Sequence, residues 1–110
     1  MSNKKEIRRR FREVCLKRDK LACVKCKMKA KSFEEAENLF DVHHITDRKE
    51  MPNGGYVSEN GVSLCEACHI KAEVFHSTGT SVEGYSPDDL YKAINSSLEK
   101  AIESSEKLKS

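Results

Sequence analysis

Two Cys-x-x-Cys pairs, Cys23 with Cys26 and Cys65 with Cys68, constrain this chain more than any other feature. Cysteines at that spacing aim two sulfurs at one point, and two such knuckles can enclose one tetrahedral ion only if the chain between them folds back. A staple of this kind is needed. The chain has 110 residues, 37% hydrophobic against 35% charged, and a domain that short buries little more than about 60% of the surface its unfolded form exposes. The expected ion is Zn2+ held by four thiolates, a closed and therefore structural site. No hydrophobic leader is seen ahead of the cysteines, and with five of them a reducing, cytoplasmic setting is expected, where such pairs bind metal rather than form bridges. A redox reading would need one such pair after a strand of a parallel sheet, and no such pattern is present. No apolar run approaches the roughly 20 residues that span a bilayer, so a soluble protein with no membrane partner is expected.

Charge is distributed unevenly. Residues 1 to 31 carry thirteen Lys or Arg against three Asp or Glu, and the remainder carries seven against fifteen. Ile7, Phe11, Val14 and Cys15 recur at helical spacing between about Lys4 and Arg18, which predicts an amphipathic helix with its basic residues, Lys4, Lys5, Arg8, Arg9, Arg10, Arg12, Lys17 and Arg18, turned outward. Cys15, on the apolar stripe, reads as a small buried hydrophobe. The basic pole suits a polyanion; a merely solvated helix face is the bland alternative.

Ser32 and Glu35 have the form of a capping box ahead of a short helix over Phe33 to Asn38. Leu39 to Ile45 and Val62 to Leu64 suit two antiparallel strands joined by a loop over Asp47 to Asn60, rich in turn residues. Glu66 to His76 favours a helix, stopped by Ser77, Thr78 and Gly79. Ser86 and Pro87 open a C-terminal helix with a Leu90, Ile94, Leu98 and Ile102 stripe that packs on the core or docks a partner. The expected layout is one α+β domain over residues 1–110: a basic N-terminal helix over 1–20, a zinc-binding core over 21–79 and a C-terminal helix over 86–110.

Between and beside the cysteine pairs stand His43, His44, Asn60 and His69. A His-His pair, a later Asn and another His are parts suited to hydrolysing a phosphodiester with a second metal, so the combination predicts a nuclease. Val42-His43-His44-Ile45, Asn60 and Leu64-Cys65-Glu66-Ala67-Cys68-His69 at these spacings resemble the HNH endonucleases, in their zinc-binding variety, over roughly Arg18 to His76. The short format looks like members encoded by bacteriophages and bacteria, which would place the protein in the host cytoplasm if phage-encoded.

The resemblance implies a zinc-stapled, treble-clef-like ββα-metal fold with flanking helices. It implies that His43 ligates a catalytic divalent ion such as Mg2+ or Mn2+, that His44 is the general base, that Asn60 pins the loop and orients the base, and that His69 is a second ligand. Some members carry a histidine one turn after the last position. This chain has Glu73 there and His76 a turn further on, all three on one helical face. Glu73 shares the face of His69 and is a hard ligand, so it is the expected third ligand, with a solvated carboxylate as the alternative. The implied chemistry is single-metal hydrolysis of DNA that leaves 5′-phosphate and 3′-hydroxyl ends and nicks one strand with loose sequence preference. The expected partner is DNA, held mainly by its backbone phosphates, with a homodimer or a larger DNA-processing complex as further assemblies. The rivals are a zinc-stabilised DNA-binding module that cuts nothing and an interaction adaptor built on the C-terminal helix.

Overall fold

The two β-compatible segments pair as an antiparallel hairpin, β1 (Phe40–His44) with β2 (Gly61–Cys65). In the computed structural model, which describes residues 4–108, five helices surround it: α1 (Lys4–Arg18), α2 (Phe33–Leu39), α3 (Glu66–Thr78), α4 (Pro87–Ala93) and α5 (Leu98–Glu106). The fold is α+β, as expected. Phe40 pairs with Cys65, Val42 with Ser63 and His44 with Gly61; Asp41 with Leu64 and His43 with Val62 alternate between them. Side chains on a strand alternate between faces. The first set of pairs faces α1, where Ser63 Oγ donates to the Cys15 carbonyl, and the other set faces α3. Gly61 is needed on the α1 side, because a Cβ there would meet the Phe11 ring at 2.6 Å and Cys15 Sγ at 2.7 Å.

α1 spans the expected residues, with Glu6 in its first turn and Lys17 and Arg18 in its last complementing the helix dipole. Its buried stripe is Phe11, Cys15 and Leu16. Val14, expected on that stripe, is 44% exposed, because the side of the helix that meets β2 is the one carrying Phe11 and Cys15. The basic residues are not all presented outward either. Arg12 donates to the carbonyls of Glu37 and Phe40. Arg18 donates to the Ser58 and Gly61 carbonyls and pairs with Asp19, whose carboxylate accepts the Ser63 N–H. These two arginines stitch α1 to the hairpin. Arg9 and Lys17 are paired with Glu6 and Glu13 along the helix.

Lys20 and Leu21, in the left-handed region at φ 59° and 58°, turn the chain out of α1. The Cys23–Cys26 knuckle follows, closed by hydrogen bonds from Cys23 N–H to Met28 O and from Lys27 N–H to Cys23 O, and tied to β2 from Val24 N–H to Ser63 O. Ser32 caps α2 by accepting from Glu35 N–H, whereas the Glu35 carboxylate accepts from Lys31 N–H, so the expected capping box is only half formed. The loop between the strands folds into three tight turns, with Asn53, Gly54 and Gly55 at positive φ. α3 starts at Glu66, with Cys65 in the N-cap position but no side-chain cap bond, and stops where Gly79 adopts φ 80° and returns its N–H to the Phe75 carbonyl.

The C-terminal region corrects the expectation of one helix. Ser86 and Asp89 form a full capping box at the start of α4, but Asn95 takes φ 60° and Ser96 N–H folds back to the Tyr91 carbonyl. Ser97 then recaps the chain by accepting from Lys100 N–H. The new phase breaks the expected stripe: Leu98 is 46% exposed, while Ala101 and Ser105 are buried. The core gathers Leu16, Phe40, Ile45, Val62, Leu64 and Leu90, each contributing about 1.5–3 kcal/mol by burial. Among the described residues no helix is long and apolar enough to cross a membrane.

Candidate active site and metal centres

The four cysteine sulfurs lie within 4.8 Å of one another, and Cys26 Sγ is 3.6 Å from Cys65 Sγ. Four sulfurs each about 2.3 Å from one zinc ion would stand about 3.8 Å apart, so this donor set fits a tetrahedral Zn2+ site. Burial pushes the Cys23 thiol up, but the N–H groups of Cys26, Cys65 and Lys25 aimed at its sulfur outweigh burial and bring it down to about 7. Cys68 is pushed up to about 12, chiefly by burial. Neighbouring sulfurs resist ionising together, which a bound cation would relieve. Tyr85, in the connector after α3, donates its hydroxyl to Cys68 Sγ at 3.3 Å, an outer support that the sequence reading missed.

A second cluster spans β1 and α3. His43 projects from β1 toward α3, where His69 and Glu73 lie one helical turn apart, and the three donor atoms fall within 4.8 Å of one another. Glu73 Oε1 is 3.2 Å from His43 Nδ1 and 3.1 Å from His69 Nε2. Ligands bound side by side on a divalent ion at about 2.1 Å stand about 3 Å apart. His43 Nδ1 is fully buried and, although near Glu73, makes no aligned hydrogen bond. An orphaned buried nitrogen of this kind is costly unless something else satisfies it. The donor set fits a divalent cation. Burial first, and then the nearby His69, His76 and His44, lower the His43 pKa to about 3, leaving the imidazole neutral, as a ligand must be.

Around this cluster, two further side chains fix its geometry. Asp41 Oδ2 lies 3.2 Å from His69 Nδ1, so the carboxylate can accept that N–H and turn Nε2 toward Glu73. Asp41 was missed in the sequence, although it stands two residues before His43 on the same strand face. His76, the other residue open as a ligand, points Nε2 at the His44 carbonyl at 2.9 Å and stacks on His43 with ring centroids 5.1 Å apart. It braces the strand and lies outside the donor cluster.

His44, next along the strand, faces the other way. Its ring lies 4.8 Å from that of Phe11 and 4.7 Å from that of Tyr56, and its buried Nε2 has no hydrogen-bond partner. Burial, followed by the charge of Arg48, lowers its pKa to about 4. Both histidines nevertheless border one cleft of about 310 Å³, together with His69, Glu73, Arg48 and Tyr56. Arg48 reaches over the loop to donate to the Tyr56 hydroxyl. Neither was singled out from sequence; a cation four residues after His44 was the available signal.

Asn60 is completely buried behind the cleft. Its Oδ1 accepts from Thr46 N–H and the Tyr91 hydroxyl, and its Nδ2 donates to the Thr46 and Gly55 carbonyls. With its amide capacity used, it ties the start of the loop to the loop's end. Gly55 is held against it: a Cβ there would lie 2.8 Å from Asn60 Nδ2.

A family model described as HNH endonuclease matches residues 14–74, more than half of the chain. Neither a curated protein nor a solved structure matches the chain.

Proposed function

The chain belongs to the HNH endonuclease family, and from that membership, which implies nuclease or DNA-binding function, we propose that it hydrolyses DNA phosphodiester bonds and nicks one strand at a time. The observation that carries the reading is the orphaned His43 Nδ1 converging with His69 Nε2 and Glu73 Oε1 beside a cleft that His44 also borders. His43, His69 and Glu73 would hold the catalytic ion, Mg2+ or Mn2+ suiting a mixed imidazole and carboxylate set. When bound, that ion supplies charge stabilisation at the phosphate and at the departing 3′ oxygen.

The residues of the chain do the rest. His44, kept neutral by burial, accepts the proton of a water aligned against phosphorus. The peptide carrying it is braced by His76, so the base and the ligand set stay in one register. Arg48 can bind the scissile phosphate in the cleft. Lys4, Lys5, Arg8 and Arg10 supply further phosphate contacts, a smaller set than the sequence offered, because Arg12 and Arg18 are committed to backbone carbonyls and Arg9 and Lys17 are paired with Glu6 and Glu13. The Cys23, Cys26, Cys65 and Cys68 site carries zinc and holds the shape.

Incubation of supercoiled plasmid with zinc-loaded protein and Mg2+ or Mn2+ tests this. Wild type should yield open circles, and His44→Ala should lose nicking while still shifting DNA on a gel. Undiminished nicking by His44→Ala would remove it as the base, and binding without any nicking by wild type would leave the non-catalytic DNA-binding module.

A further inference from the structure

A second cavity, of about 400 Å³, adjoins the catalytic cleft and shares Arg48 and Tyr56 with it. The described residues bring four cations to its lining, Lys4, Arg8, Arg48 and Lys49, and no carboxylate. Ile7, Leu108 and the Tyr56 ring add apolar surface to the same lining. The ring is held from several directions. Arg48 donates to its hydroxyl, the Arg8 guanidinium carbon lies 5.7 Å from its centroid, and Gly54 packs so tightly on its edge that a Cβ would meet it at 3.0 Å. Asn53 fixes the far rim by donating to the Ser105 and Leu108 carbonyls.

Cations alone would suit a bare phosphate, and an apolar wall alone would suit a hydrophobic side chain. Together, at this volume, they suit an anion with a flat apolar body, stacked on an aromatic ring with its charge among guanidinium and ammonium groups. Stacked, paired bases cannot enter such a pocket. We propose that this pocket binds one unpaired nucleotide of the strand being cut, so that the preferred substrate is DNA with a single-stranded or displaced nucleotide beside the scissile phosphate. The placement beside that phosphate rests on the nuclease reading; the nucleotide site itself rests on the pocket.

The test is made on zinc-loaded full-length protein with Ca2+ in place of a catalytically active ion. The probes are dTMP, dAMP and inorganic phosphate, titrated while the backbone amides of Lys49 and Gly54 are followed by NMR. Mononucleotides should saturate these signals at least about tenfold more tightly than phosphate, and Leu108→Glu, which sets a carboxylate among the cations, or Lys49→Ala should weaken them about tenfold. In Mg2+ or Mn2+, wild type should cut gapped duplex faster than paired duplex, and Leu108→Glu should erase that difference. Equal affinity for phosphate, absence of nucleotide binding, or affinity unchanged in both variants overturns the proposal. Wild-type protein that binds mononucleotides but nicks DNA in neither Mg2+ nor Mn2+ disproves the nuclease reading and leaves the pocket standing.

Discussion

Replacing Asn60 by alanine should unfold the loop rather than disarm the chemistry. The amide makes four hydrogen bonds from a fully buried position, to Thr46 N–H, Thr46 O, Gly55 O and the Tyr91 hydroxyl. Tyr91 keeps a partner in Asn60→Ala, since its oxygen is also 2.7 Å from Thr46 Oγ1. The Thr46 N–H and the two carbonyls do not, and leaving a buried polar group unpaired costs about 1–3 kcal/mol. Allowing for water entering beside the half-buried Thr46, the sum is about 3–5 kcal/mol, a large share of the roughly 5–15 kcal/mol that holds a domain folded. Thermal unfolding at fixed, saturating zinc should show a loss on the order of 15 °C. Nicking by the variant, measured well below its melting temperature, should recover toward wild type as loop order returns. A variant as stable as wild type but inactive would refute the reasoning and give the Asn60 amide a direct part in the reaction.

Three further outcomes are expected. Cys26→Ala, or removal of zinc by a chelator, should abolish the cooperative unfolding transition seen by circular dichroism, because zinc contributes about 10–16 kcal/mol in small domains of this kind; a chelated protein that melts like the loaded one contradicts a structural zinc. Asp41→Ala should weaken Mn2+ binding, read by calorimetry, by about 10–100-fold through the freed His69 ring, while zinc content stays at one equivalent; unchanged Mn2+ affinity would remove Asp41 as a positioning residue. The Cys15 thiol is pushed by burial from its ordinary 9.0 up to about 12, so the folded state keeps a proton that the unfolded state releases. That contribution is fully present below pH 9 and is lost as pH rises toward 12, and urea titrations should show a shallower alkaline decline in Cys15→Ala than in wild type.

What could be read from the sequence was whatever depends on local spacing. The knuckles follow from paired cysteines, the span of α1 from an apolar stripe, and the end of α3 from a glycine free to adopt positive φ. The grouping of His43, His69 and Glu73 combines a strand position with two residues one helical turn apart, and only the second relation is visible along the chain. Features set by distant partners were not legible. Arg12 and Arg18 look like phosphate donors until the carbonyls of Phe40 and Gly61, far along the chain, claim them. Asp41 looks like a solvated strand residue until His69 arrives beside it. The C-terminal break was misread because apolar periodicity carries across Asn95, although an asparagine followed by two serines offers both a left-handed turn and a fresh cap.

Cys65 closes β2, stands at the N-cap position of α3 and belongs to the four-cysteine cluster, so the hairpin and the helix are keyed together at one residue. A helix advances about 100° per residue, and His69 and Glu73 follow Cys68 with no loop between them. The tolerance of this chain for changes in length is therefore very uneven. An extra residue in the exposed turn at Arg48 to Glu50 can be absorbed in the loop, whereas one inserted between Cys68 and Glu73 would rotate a carboxylate or an imidazole by more than a quarter turn while the cysteine cluster stayed intact. Length variation in proteins that share this site should accumulate in the first interval and be absent from the second, an imprint of rotational phase that substitution patterns alone would not reveal.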